Sequence, residues 1–125
     1  MRAACLLLLV ACGADGAPAD VRSGVTDTSL PTQITCDRDP PLDWTNHAEG
    51  FFDKSCNGCH SSQLTGAVRS GAPEGIDFDT EAAAIEQAGR VRARVLGDET
   101  MPPGGGLTAE ERFLLDEWLT CAVGA

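Results

Sequence analysis

The sequence predicts an all-α domain of three to four helices. Three observations predict it. Apolar residues recur at helical spacing over 45–56, over 81–96 and again from Thr108 onward. The tetrad Thr108-Ala109-Glu110-Glu111 is a capping box, a cue for the start of the last helix. Between the first two stretches lies Cys56-Asn57-Gly58-Cys59-His60, two thiols three apart with an imidazole adjoining the second. The other elements are arranged around that cluster.

Length and charge narrow the field. A chain of 125 residues holds one domain rather than two. Six cysteines suit an exported protein better than a cytosolic one. The net charge of −10 argues against nucleic acid, which requires basic patches. It favours a basic partner where charge steers association, the alternative being a plain solubility surface.

Residues 1–11 read as an export signal, with Arg2 followed by the apolar run Ala3 to Val10. The run is too short to span a bilayer. Leu9-Val10-Ala11-Cys12 resembles a lipobox, which makes Cys12 the expected lipidation site and new N-terminus. Several acyl chains there would anchor the protein stably. An ordinary secretory signal cut nearby is the alternative. Residues 12–41 then lose helical period and turn to Gly, Ala, Asp, Ser, Thr and Pro, the composition of a flexible tether. The folded domain is expected over 42–125.

A first helix is predicted over 45–56, with Asp43 or Thr45 as cap and Trp44, Ala48, Phe51, Phe52 and Cys56 at helical spacing. It delivers the chain to Cys56, Cys59 and His60. Cys-x-x-Cys-His is the pattern by which a haem is attached covalently, each thiol adding across one vinyl group while the histidine comes to lie under the iron. A dithiol redox pair has no need of His60. A zinc site wants a second close pair of ligands, which the chain lacks.

With these residues in place, the chain resembles the class I c-type cytochromes, small single-haem domains, over about residues 44 to 123. The resemblance rests on the attachment motif and on Met101-Pro102 downstream. It implies a cytochrome c-like fold, three to four helices wrapped around one covalently attached haem c. It implies His60 and Met101 as axial ligands, and a one-electron carrier rather than an enzyme. In that family a small residue and an aromatic stand eight and four positions before the first haem cysteine, here Ala48 and Phe52. The usual small residue is glycine, so Ala48 departs slightly. A leucine and an aromatic follow the axial methionine by 14 and 17 positions, here Leu115 and Trp118. A proline carbonyl past the histidine holds its second ring nitrogen, with Pro73 the candidate and a simple turn proline the alternative.

Ser61 to Asp77 reads as a helix-free loop. A second helix is predicted from Glu81 to about Leu96, capped by Asp79 or Thr80 and ended by Gly97. Its expected buried stripe is Ala84, Ile85, Ala88, Val91 and Val95. Arg90, Arg92 and Arg94 fall by spacing on differing faces and so do not form a shared anion site; one could still reach a haem propionate, the alternative being plain solvation. Met101 sits in a Pro- and Gly-rich loop and is the only thioether besides Met1. His47 competes as sixth ligand, but it lies on the incoming helix; an open sixth position is the other alternative. On the last helix Leu114, Leu115, Trp118, Cys121 and Ala122 form the apolar face, and Glu110, Arg112, Asp116 and Glu117 the wet one.

Cys36 and Cys121 remain and are expected to pair as a disulfide in an oxidising compartment, the alternatives being two free thiols or Cys121 as plain core. The sequence thus leads to the expectation of a lipid-anchored electron carrier on the periplasmic side of a bacterial membrane, serving a redox partner protein. A haem-based gas sensor or peroxidase-like enzyme is the alternative. So small a core also predicts that the chain without haem is poorly folded.

Overall fold

The computed structural model describes residues 29–125, and among these it holds three helical rods and one short helical turn. The predicted signal, Cys12 and most of the tether lie outside the described residues. Among those described there is no strand, and no helix is long and apolar enough to cross a membrane. The domain is all-α.

Helix α1 starts as a wide turn, Trp44–Ala48, and continues as Glu49–Ser55. Asp43 caps it: its carboxylate accepts from the Asn46 amide at 2.8 Å, while the Asn46 side chain accepts from the Asp43 amide at 2.9 Å. Two otherwise unpaired amides are thereby satisfied. Ala48, Phe51 and Phe52 are buried along one side.

The connection to the next helix is not wholly helix-free, since Gly66–Arg69 form a single 3-10 turn. The chain then returns to α1. The Phe78 amide donates to the His60 carbonyl at 2.9 Å, and the Phe78 ring stacks on Phe52 with centroids 4.9 Å apart.

Helix α2 comprises Glu81–Glu86, Ala88–Val91 and Arg92–Gly97, with Thr80 as cap. It bends at Gln87, whose φ of −95° and ψ of 4° leave the helical region. Ala84, Ala88, Val91 and Val95 are buried, spaced by four, three and four. Ile85 is not part of that stripe and is 44% exposed. It stands about 100° around the rod from Ala84. Gly97 is the last helical residue rather than a left-handed cap; Glu99, at φ 53°, makes the left-handed turn.

Helix α3 comprises Ala109–Trp118 and Leu119–Val123. Thr108 and Glu111 form the capping box, with bonds of 3.1 and 2.8 Å. Gly124, at φ 74°, closes the far end and lets the Ala125 amide reach the Leu119 carbonyl at 2.9 Å. The left-handed conformation there is one that glycine adopts without strain. Leu115, Trp118 and Leu119 are buried. Cys121 and Ala122 are exposed, and Glu117 is only 4% exposed, the reverse of the expected faces.

The burial of Glu117 has one cause. Cys36, Arg38 and Pro41 gather on this side of α3, where a disulfide joins Cys36 to Cys121 with Cα atoms 5.5 Å apart. Arg38 covers Glu117 and binds it through both carboxylate oxygens. A carboxylate that period alone assigns to solvent is therefore roofed and paired. The core between α1 and α3 is aromatic. Phe52 meets Trp118 edge-on at 5.9 Å, and Trp44 packs on both rings at 5.9 and 6.4 Å. Such offset and edge-on pairs are the favoured arrangements of aromatic rings.

Candidate functional site: a cavity gathering two thiols, an imidazole and a thioether

A cavity of about 560 Å³ opens between the end of α1, the loop 61–78 and the side of α2 that carries Val91 and Val95. That volume falls within the range of about 300–1,000 Å³ usual for cofactor and small-molecule sites. Cys56, Cys59, His60 and Met101 all line it. Phe51, Ile76, Phe78, Val91, Val95 and Leu107 add apolar wall.

Each functional side chain has a local reason for its place. Cys56 ends α1, its amide donating to the Phe52 carbonyl at 2.8 Å. The next turn tightens: the amides of Cys59 and His60 both donate to the Cys56 carbonyl, at 3.0 and 2.9 Å. The motif is thereby folded back on itself at the end of the helix. Met101 arrives from the opposite chain direction, its amide held at 3.0 Å by the Arg94 carbonyl in the last turns of α2.

His60 Nδ1 lies 2.7 Å from the Ile76 carbonyl oxygen. A carbonyl can only accept, so Nδ1 carries the proton and Nε2 keeps its lone pair, the form in which an imidazole binds a metal. The partner is Ile76 and not Pro73. The Pro73 carbonyl is taken at 2.7 Å by Arg69 Nη2. Arg69 Nε also bonds Ala72 O at 3.1 Å, fixing that corner of the loop. The sequence reading missed Arg69 altogether. The available signal was a single basic residue between Lys54 and Arg90, placed in a Gly- and Ser-rich loop.

His47 does not line the cavity. Its ring lies 6.4 Å from that of Phe51, and its buried Nε2 has no hydrogen-bond partner. Arg90 and Arg94 do line it, against the expectation of differing faces. Four residues apart, they stand only about 40° apart around the helix. With Lys54 and Arg69 they make four of the chain's nine Lys and Arg, whereas no carboxylate among the described residues borders the cavity. Three of the four are offset nearby: Lys54 by Glu111, Arg69 by Asp77 and Arg94 by Asp98.

The thiol chemistry bears on what the site can do. Burial pushes the Cys56 thiol up to about 12. A dithiol redox motif works through a depressed thiol pKa, so Cys56 is poorly suited to attack a disulfide. Among the described residues no three His, Cys, Asp or Glu side chains converge to hold a metal ion. That leaves Cys56, Cys59 and His60 spread around a wide apolar cavity, an arrangement that suits a large flat group better than a bare ion. The donors present fit haem: two thiols for attachment, an imidazole with its far nitrogen free, a thioether, and cations for acidic substituents. Comparison with protein-family models, with curated proteins and with solved structures returns no match.

Proposed function

We propose that the chain is a monohaem c-type cytochrome with a cytochrome c-like fold, acting as a one-electron carrier. The observation that carries this is the meeting of Cys56, Cys59, His60 and Met101 around one cavity. Cys56 and Cys59 would hold haem c covalently, with His60 and Met101 as the axial ligands. Bound there, haem supplies a couple between ferrous and ferric iron.

The protein's own residues do the rest. Ile76 O fixes the His60 tautomer and keeps Nε2 available. Phe51, Phe78, Val91 and Val95 keep water from the centre, an apolar surrounding that favours the less charged ferrous form. Arg90 and Arg94 offer charge to acidic substituents at the edge. In this reading the two thiols, the imidazole and the thioether are all taken up in holding the haem, and no paired carboxylate borders the cavity among the described residues, so the proposal is a carrier and not an enzyme.

The setting proposed is a bacterial lipoprotein, anchored through Cys12 on the periplasmic side of a membrane and exchanging electrons with a redox partner protein. The test is a visible spectrum of protein exported through a host that matures c-type cytochromes. The expected result is a red protein whose haem resists acid-acetone extraction, with a weak far-red ferric absorption that Met101→Ala abolishes. A colourless protein overturns the proposal. Rapid carbon monoxide binding to the wild-type iron overturns the closed sixth position and favours a gas sensor or peroxidase-like enzyme.

A further inference from the structure

Arg69 is the most enclosed charged residue described, 2% exposed. Its guanidinium donates to the carbonyls of Ser61, Leu64, Ala72 and Pro73 at 2.7, 3.3, 3.1 and 2.7 Å. It also pairs with the Asp77 carboxylate at 2.7 Å. A longer contact, 3.4 Å from Nη2 and the weaker arm of a forked bond, reaches the carbonyl oxygen of Ile76. That oxygen is the one that accepts from His60 Nδ1 at 2.7 Å. A cation and the imidazole thus share a single acceptor.

We propose that Arg69 is a positioning residue for His60, holding the Ile76 carbonyl in place and weakening it as an acceptor, so that the redox potential of the bound group is raised. The proposal rests on the haem reading given above. The physical steps are short. A second, cationic donor draws electron density from the Ile76 oxygen. The His60 N–H bond to that oxygen is then less polarised, and the imidazole gives less density through Nε2. Ferric iron gains more than ferrous iron from an electron-rich imidazole, so the ferrous state is favoured. The enclosed positive charge acts in the same direction, and Asp77, which offsets it, acts against it. The tuned event is the transfer of one electron, with no bond made or broken.

A brace that only shaped the loop would behave differently. Loss of either partner would loosen the loop, and both losses would move the potential the same way. The tuning role predicts opposite signs. Redox titration of the haem-loaded protein with mediator dyes should show Arg69→Gln shifting the ferrous/ferric equilibrium about tenfold toward ferric, a fall of 59 mV for one electron. Asp77→Asn should shift it toward ferrous. Arg69→Lys, which keeps the charge and loses the fork, should fall between wild type and Arg69→Gln. Shifts of the same sign in Arg69→Gln and Asp77→Asn, or none, overturn the tuning role while leaving the cytochrome reading intact. If Arg69→Gln fails to fold, the Asp77→Asn and Arg69→Lys titrations decide alone. Protein lacking covalent haem overturns both.

Discussion

Arg38 and Glu117 meet through two hydrogen bonds of 2.5 and 2.7 Å although 79 residues separate them in sequence. Glu117 is buried, Arg38 is 40% exposed at its side chain, and the pair sits beside the disulfide from Cys36 to Cys121. The guanidinium is thus the roof over a carboxylate that has no other hydrogen-bonding partner among the described residues.

Removal of that roof should therefore be felt. Arg38→Ala leaves Glu117 facing a gap, at a cost of about 2 kcal/mol, the usual range for a bond to a charged group. The partial exposure of Arg38 keeps the figure below that of a fully buried pair. Urea denaturation with the disulfide intact measures it. Glu117→Gln should cost less than Arg38→Ala, because Arg38 stays in place, can still donate to the amide oxygen and is partly solvated, and no buried charge is left unpaired.

The same neighbourhood gives a pH dependence. Burial holds His47 below its ordinary value of 6.5, with Glu117 opposing and Arg38 reinforcing the shift. In the window between 6.5 and the depressed folded value the unfolded chain binds more protons. Stability therefore falls as pH is lowered through that window and levels off below it. His47→Gln should flatten the dependence between pH 7 and 5. Arg38→Ala should weaken it, since a charge that disfavours protonation has gone. Glu111, held down to about 2 chiefly by Lys54 and Thr108, contributes stability that is lost only as pH drops below 4.5, so the two effects separate. Equilibrium unfolding at a series of pH values checks all three.

Phe52 and Trp118 should prove coupled. Both are essentially inaccessible and meet edge-on at 5.9 Å. Truncating either to alanine should cost about 3–5 kcal/mol. The double variant should cost less than the sum by about 1 kcal/mol, the worth of an aromatic pair beyond its burial. Denaturation of the four proteins of the cycle gives the number, and strict additivity would count against direct contact as the source.

Replacing Cys36 by serine should destabilise the domain by up to about 4–5 kcal/mol, the chain-entropy value for a loop this long. The bond spans a sequence separation of 85. The check is denaturant unfolding of wild type and Cys36→Ser, both without reductant. Reductant added to wild type should reproduce the loss.

Much of the arrangement was legible because local chemistry decides it. Capping pairs such as Thr108 with Glu111 act over three residues, and the apolar spacing of Ala84, Ala88, Val91 and Val95 follows from helix geometry alone. Cys56, Cys59, His60 and Met101 stood out by residue type and setting. What escaped was decided by partners distant in sequence. Glu117 falls on the polar side of α3 by period, and only the return of Arg38 makes it buried. Arg69 in a Gly- and Ser-rich loop looks like a solvated cation until the loop closes on it, holding the Pro73 carbonyl while the Ile76 carbonyl accepts from His60. Arg90 and Arg94 were missed for a simpler reason: a spacing of four places side chains together, not apart.

The covalent link at Cys36 also decides how the domain answers a pull. Tension arriving along the N-terminal segment passes through sulfur into Cys121 and the end of α3, before it can reach Pro40, Pro41 and the start of α1. Neither linked cysteine borders the cavity, whereas α1 ends at Cys56, which does. A pull on that segment is thus borne by α3 and not by α1. Cut that sulfur bridge, and the same force runs down the rod that carries the first thiol of the motif.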